Sequence, residues 1–488
     1  MTIVFNAIPV DLRVPGAYVE FDSSKAVSGL PAAPRTVLLI GQRLNTGTVA
    51  QNVPTRIVSA DQAVAAFGRG SMLAAMARAF KRADSNTECW AIALDDNGAG
   101  TAATKTITVT GLASGAGALA LMIAGQAVDV KVSSGDTATT IASAIVTAIG
   151  ALPDLPVTAT SAAGVATLTA RHKGTAGNDI DVRVNYYQGQ ALPAGVALAF
   201  ADGTAGATNP DIAMAFAAIG DTQYATIALG FADAATLTKV DTELADRWGP
   251  LRQIEGIAYA AARGTHGTLL ALGAARNSAF VSIIGAKAAP NPTWEWAASY
   301  AGVVGFNGGI DPAAPFQGLV LPGILAPAVA DRFTRAEREL LLRDGISTFT
   351  VDQGGTVALE RPITTYQTNS FGLDSIAFLD VNTPLTLAYL RFQVRARILS
   401  KFPRYKLASD DAAFDAGQKI VTPRIIRAEL VALMRELEEA GIVEGLDQFI
   451  ADLVVERDAS DPSRVNALIP PNIVNQFRVF AGRVEFRL

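Results

Sequence analysis

Nucleophilic catalysis needs a serine, threonine or cysteine held beside a base, and this sequence is poor in both partners: two histidines and one cysteine in 488 residues. His266 stands in Gly264-Thr265-His266-Gly267-Thr268 and Ser71 in Gly70-Ser71-Met72, so a hydroxyl attacking with imidazole assistance is a chemistry these residue types allow. His172, in Arg171-His172-Lys173-Gly174, falls at a strand end among polar residues and reads as a surface side chain. Cys89 enters an apolar strand, and a lone thiol builds neither a disulfide nor a cysteine metal site within one chain. Walker A, GxGxxG, HExxH and calcium-loop patterns are absent, so no cofactor-binding or metal-ligating residue is expected.

The segments around His266 and Ser71 resemble the glycine-rich histidine and serine segments of subtilases. That family runs Asp, His, Ser along the chain, whereas here the serine comes first and no aspartate motif precedes His266. Ser71 is better used as the N-cap of a helix carrying Met72, Met76, Ala79 and Phe80 on one face. The expectation is therefore no enzyme. An active subtilisin-like serine hydrolase and a β-rich surface adhesin stand as alternatives, separated by the effects of changing Ser71 or His266 and of deleting residues 100–203.

The elements that would position any such group come from the pattern. Half the residues are hydrophobic but only 7% are aromatic and 17% charged, so Ala, Val, Leu and Ile must build the cores of more than one domain. A net charge of −5 argues against a chain dedicated to nucleic acid, and no apolar run reaches the ~18 residues of a membrane span. The first residues lack the basic start and apolar core of a signal peptide, which points to a cytoplasm. Residues 37–41 form a continuous apolar run, as in a strand buried on both faces, followed by helices at 61–67 and 71–83 and a strand at 90–94. From about residue 98 Thr, Ala and Gly dominate and strands alternate around one helix with Ile141, Ile145 and Ile149. After residue 204 the strand–helix rhythm resumes.

The pattern implies an α/β fold: a doubly wound core domain split as 23–98 and 204–345, an inserted β-rich domain at 99–203, and an α+β domain at 346–473. Strands are expected at 346–351, 356–360 and 376–381, a long connection at 307–327, and helices from Thr383-Pro384 and Thr422-Pro423. Two arms flank this body, 1–22 and 474–488. In the first, Ala17, Val19 and Phe21 alternate with polar residues and Tyr18 after Pro15-Gly16; in the second, Phe477 and Val479, then Val484, Phe486 and Leu488, alternate around a phase change at Gly482. Such strands pair within their own domain or add to the sheet of a neighbour. The helix from 384 carries Arg391, Arg395, Arg397 and Lys401, either a solvated face paired with internal carboxylates or a patch that docks on an acidic partner.

Val14-Pro15-Gly16-Ala17-Tyr18-Val19-Glu20 resembles the N-terminal signature of contractile phage tail sheath proteins. Lys173-Gly174-Thr175-Ala176-Gly177-Asn178-Asp179-Ile180 and the region from Tyr389-Leu390-Arg391 through Arg464-Val465-Asn466 resemble their Mu-like branch. The resemblance implies a homo-oligomer of stacked hexameric rings around an inner tail tube, with baseplate and tail terminator partners, no direct nucleic-acid contact and no stable membrane insertion. It implies a subtilisin-like core without protease activity, assembly in the host cytoplasm into a virion, and contraction that drives the tube through the envelope for genome ejection. Terminal arms would complete four-stranded sheets in adjacent subunits, through Val14, Ala17, Tyr18, Val19 and Phe21 and through Phe477, Val479, Val484, Phe486 and Leu488. The helix of Arg391, Arg395, Arg397 and Lys401 would touch the tube, and the insert would face outward.

Overall fold

The computed structural model describes residues 13–19, 30–415 and 417–487. Strand Thr36–Gln42 lies between Glu88–Leu94 and Thr226–Leu229, parallel to both. Its Val37, Leu38, Leu39 and Ile40 are wholly covered, as a non-alternating apolar run requires. Beyond Thr226–Leu229 come Ile257–Ala262, Val281–Gly285 and Ile346–Val351, all parallel, then Thr356–Arg361 and Val320–Leu325, both antiparallel. On the other side the short antiparallel Thr55–Ile57 closes a sheet of nine strands among the described residues.

Helices Met72–Ala83 and Thr293–Ile310 pack on each other and on the middle strands. The second is buried almost all round, with Trp294, Trp296 and Tyr300 inside, so it needs small residues where it meets its neighbour. At Gly302 an added Cβ would stand 2.8 Å from Ala83 and 3.2 Å from Phe80.

Between Glu88–Leu94 and Thr226–Leu229 the chain builds two antiparallel sheets. One has four strands, in the order Val196–Asp202, Ala102–Gly111, Val165–Lys173, Val157–Ala162; the other has three, Gln126–Val132, Gly117–Ile123, Val182–Val184. Helix Ala138–Gly150, capped by Thr137, buries Ile141, Ile145 and Ile149, the four-residue spacing seen in the sequence. Within residues 180–186 the strand is short, only Val182–Val184, and it follows a 3-10 turn at Thr175–Asp179.

Contacts divide the chain into two compact units. Pro34–Tyr389 with the residues from Asn475 onward form one, and Leu390–Val474 with the described part of Met1–Ala33 form the other. In the second unit helix Pro423–Glu439, capped by Thr422 with Pro423 in its first turn, buries Leu430, Leu433, Met434 and Leu437. Near it lie three two-stranded ladders: Lys406–Leu407 with Ile420–Val421, Val443–Glu444 with Asn472–Ile473, and Val454–Arg457 with Val465–Leu468.

Several expectations need correction. Strands Ile346–Val351 and Thr356–Arg361 belong to the nine-stranded sheet, so a domain starting at residue 346 would cut backbone hydrogen bonds to Val281–Gly285. The connection expected at 307–327 contains the last turn of Thr293–Ile310 and the edge strand Val320–Leu325, because its glycines and prolines fit an edge. Residues 376–381 make one bridge, Ile363 to Asp380, rather than a strand. The long helix is Asn382–Lys401 and includes Thr383, while the Asn382 side chain donates to the carbonyls of Pro312 and Ala314 at 2.9 and 2.7 Å.

Candidate functional site

In an open parallel sheet, ligands bind where the strand order reverses, beyond the carboxyl ends of the strands. Here the order reverses at Thr36–Gln42, whose C-terminal end lies beside those of Glu88–Leu94 and Thr226–Leu229. That position is filled. The Met72 and Met76 thioethers lie so close over Gly41 and Gly230 that an added Cβ at either would meet sulfur within 3 Å.

The rest of the crevice is filled by the end of the insert strand Val165–Lys173. Gln42, fully buried, donates from Nε2 to Asp96 Oδ1 and to the Lys173 carbonyl, both at 2.7 Å. The Lys173 amide donates to Asp96 Oδ2 at 2.9 Å, and His172 Nδ1 lies 3.0 Å from Asp96 Oδ1. His172 Nε2 accepts the Met72 amide at 3.1 Å, one of the amides that a helix N-terminus leaves without an internal partner. That bond fixes the tautomer: Nε2 carries the lone pair, so Nδ1 carries the proton and donates to Asp96. Burial alone would raise the Asp96 pKa, but hydrogen bonds from His172, the Lys173 amide and Gln42 outweigh it and leave the carboxyl below its ordinary range. His172 is therefore buried, not the surface residue its polar neighbours suggest, because it caps a helix a hundred residues away.

Aspartate, histidine and a serine-bearing turn thus meet, yet their bonds are not those of a hydrolase. The imidazole nitrogen that would take a proton is already an acceptor for backbone, and Ser71 Oγ accepts the Ala74 amide at 3.2 Å as an N-cap. Among the described residues no hydrogen bond or ion pair links Ser71 to either histidine. His266 opens helix His266–Ala274, and its Nε2 donates to the Glu337 carbonyl at 3.1 Å beside Phe333. Cys89 is buried, and burial pushes its thiol up to about 12, the reverse of what a nucleophile needs. Among the described residues no cluster of His, Cys, Asp or Glu could hold a metal ion, and no helix is long and apolar enough to cross a membrane.

The arms contrast with this sealed interior. Val14, Ala17, Tyr18 and Val19 are exposed, Val19 at 78%; Phe21 lies outside the described residues. Phe477, Val479, Phe480, Val484 and Phe486 are exposed by 77 to 89%, and Leu488 lies outside the described residues. Neither 13–19 nor 474–487 forms a strand. An alternating pattern supplies a face, but a strand exists only when a second backbone takes its N–H and C=O groups. The C-terminal arm is held at its root, where Arg478 pairs with Asp380 at 2.9 Å and Gln476 donates to the Ala313 carbonyl at 3.2 Å.

The basic helix is partly neutralised. Lys401 pairs with Glu429 at 2.7 Å, and Arg397 pairs with Glu436 and approaches Glu429 at 3.7 Å. Both carboxylates come from helix Pro423–Glu439. Arg391 is half-buried and Arg395 exposed. Sequence reading missed the Gln42–Asp96 contact, whose visible trace was an acidic pair, Asp95-Asp96, directly after a buried strand.

Family models match two stretches: residues 205–365 fit the phage tail sheath protein central domain, and residues 374–487 the phage tail sheath C-terminal domain. The Mu-like prophage FluMu tail sheath protein of Haemophilus influenzae is 45% identical over 488 residues, covering all of both chains. Among solved structures, the sheath tail protein of Desulfitobacterium hafniense matches with a TM-score of 0.47 and 16% identity, covering 94% of this chain and 100% of that one. The contracted helical sheath of the anti-feeding prophage matches with a TM-score of 0.48 and 11% identity, covering 98% and 99%.

Proposed function

The chain belongs to the phage tail sheath family, and from that premise we propose that its arms are strands in waiting, each completed by the C-terminal domain of an adjacent copy. It is a structural subunit of a contractile tail sheath, a virion component and not an enzyme. The observation that carries the arm reading is the exposure of Phe477, Val479, Val484 and Phe486 on a segment with strand alternation and no strand partner among the described residues. A ladder suited to receive such a strand is Val454–Arg457 with Val465–Leu468, where Val454 and Leu468 are half to two-thirds exposed. Burial of Val484 and Phe486 there would contribute ~1.5–3 kcal/mol each before ordering costs.

An interface in which one patch binds a different patch on the next copy does not close on itself, so it builds rings and helical stacks. In this reading six copies ring an inner tail tube and rings stack between baseplate and terminator proteins in the host cytoplasm. Contraction releases the strain of a metastable extended sleeve without nucleotide and drives the tube through the envelope for genome ejection. The split core is subtilisin-like in architecture only, a reading supported by its flanked parallel strands and its filled crevice. The insert at 99–203 decorates the outside. The helix of Arg391, Arg395, Arg397 and Lys401 faces the tube, with Arg397 and Lys401 held by Glu436 and Glu429.

Electron microscopy of the purified chain with and without residues 476–488 tests the proposal. Striated tubes from the full chain and none from the truncated one are expected; tubes from both would refute the arm exchange.

A further inference from the structure

We propose that the loop at residues 369–376 is a second contact between copies, an apolar plug seated in the neighbour that receives the C-terminal arm. The inference rests on the arm reading above. Phe371, Leu373 and Ile376 are 85%, 65% and 80% exposed, and Asp374 is the single charge between Tyr366 and Leu379. Large apolar side chains gathered on a charge-poor protrusion are the composition of an interface centre rather than of open surface.

The loop is built to hold them still. Asn369 Oδ1 accepts the amides of Phe371 and Leu373 at 2.9 and 3.1 Å, and the Gly372 amide returns to the Asn369 carbonyl at 2.9 Å. Gly372 has φ +74° with nothing within 4 Å of an added Cβ, so glycine serves the turn and not the space. Thr368 bridges Asp374 across the neck. Below it Asn277 accepts the amides of Gln367 and Thr368 at 2.8 and 3.1 Å, and Gln367 Nε2 donates to the Gly273 and Arg276 carbonyls. A backbone fixed before binding loses little freedom on docking, which is what an anchor requires.

A second copy is the occupant because of where the loop is rooted. The Leu379 amide bonds the Ile376 carbonyl, and the next residue, Asp380, holds Arg478 at the base of the arm. A neighbour that takes the strand from Gln476 onward is thereby brought against the loop, making the two surfaces continuous. The loop tip also falls between the two matched stretches, which end at 365 and resume at 374.

The test compares the full chain with Phe371→Asp, Leu373→Asp and their double variant, by sedimentation and electron microscopy over a protein dilution series. The expected result is a critical concentration for tube formation raised roughly tenfold or more in the double variant, with the unassembled chain melting as the wild type does. Phe371→Leu, which keeps an apolar side chain, restores most of the loss. Assembly of the double variant at the wild-type concentration would overturn the plug and leave the arm exchange standing. Normal assembly alone but failed co-assembly with purified tube would also overturn it, by assigning the loop to the tube. Tubes from the chain lacking 476–488 would instead remove the arm reading on which the plug rests.

Discussion

Strand Thr36–Gln42 and the arm after Val474 draw on the same apolar residue types and end in opposite conditions. Leu38, Leu39 and Ile40 are fully covered by parallel neighbours from their own chain, whereas Val484 and Phe486 are more than four-fifths exposed and have no strand beside them among the described residues. The first is apolar on both faces and could be stable only inside a sheet with helices above and below. The second is apolar on one face, which half-buries it wherever a free sheet edge is found, including on another molecule. Completeness is thus a property of the partner as much as of the sequence, and the two segments should answer differently to the same kind of damage.

Removing residues 476–488 should give the largest contrast: no polymer at concentrations where the full chain is fully assembled, with the melting point of the isolated chain lowered by only a few degrees through loss of the Arg478–Asp380 and Gln476–Ala313 bonds. A drop of many degrees would mean that the arm stabilises its own body. Leu39→Ala should lower the stability of the isolated chain by ~2–5 kcal/mol in urea titrations, because it opens a cavity between layers. The matched Val484→Ala should stay within ~0.5 kcal/mol by the same measurement.

His172→Ala should cost ~1–3 kcal/mol, since it leaves the Met72 amide without its acceptor and Asp96 with one donor fewer, and limited proteolysis should find the junction of strand Val165–Lys173 with the core opened first. Asp179 should give the smallest effect. Burial raises its carboxyl to about 6 from 3.8, against hydrogen bonding from Thr293 and the nearby Arg263. The folded state therefore prefers the proton: the destabilisation is fully present above pH 6, shrinks as pH falls toward 3.8 and is absent below. Asp179→Asn should raise the melting point at pH 7.5 and flatten its pH dependence between about 4 and 6, without altering assembly.

Much of the body was legible because local pattern and final environment agree there. The run at 37–41, the caps at Ser71 and Thr422 and the four-residue spacing of Ile141, Ile145 and Ile149 each state a local rule that packing then obeys. What failed was decided at long range. His172 sits among polar residues in sequence, but its environment is set by Met72 and Asp96. Strands Ile346–Val351 and Thr356–Arg361 look like the start of something new after a short charged helix, and only their hydrogen bonds reveal that they finish the older sheet. Phe371, Leu373 and Ile376 carry no periodicity, so nothing in one dimension separates them from an ordinary turn.

The plug of Gln42, Asp96 and His172 also limits how such a chain can diversify. The inserted domain looks like a cassette that could be exchanged for another, yet its strand Val165–Lys173 supplies the imidazole on which a core helix begins and the backbone that Gln42 holds. Any graft that swaps the cassette without bringing an equivalent acceptor would leave an open socket under Met72. Engineering of this inserted domain should therefore keep a histidine opposite Met72 and the pairing of the Lys173 backbone with Gln42 and Asp96.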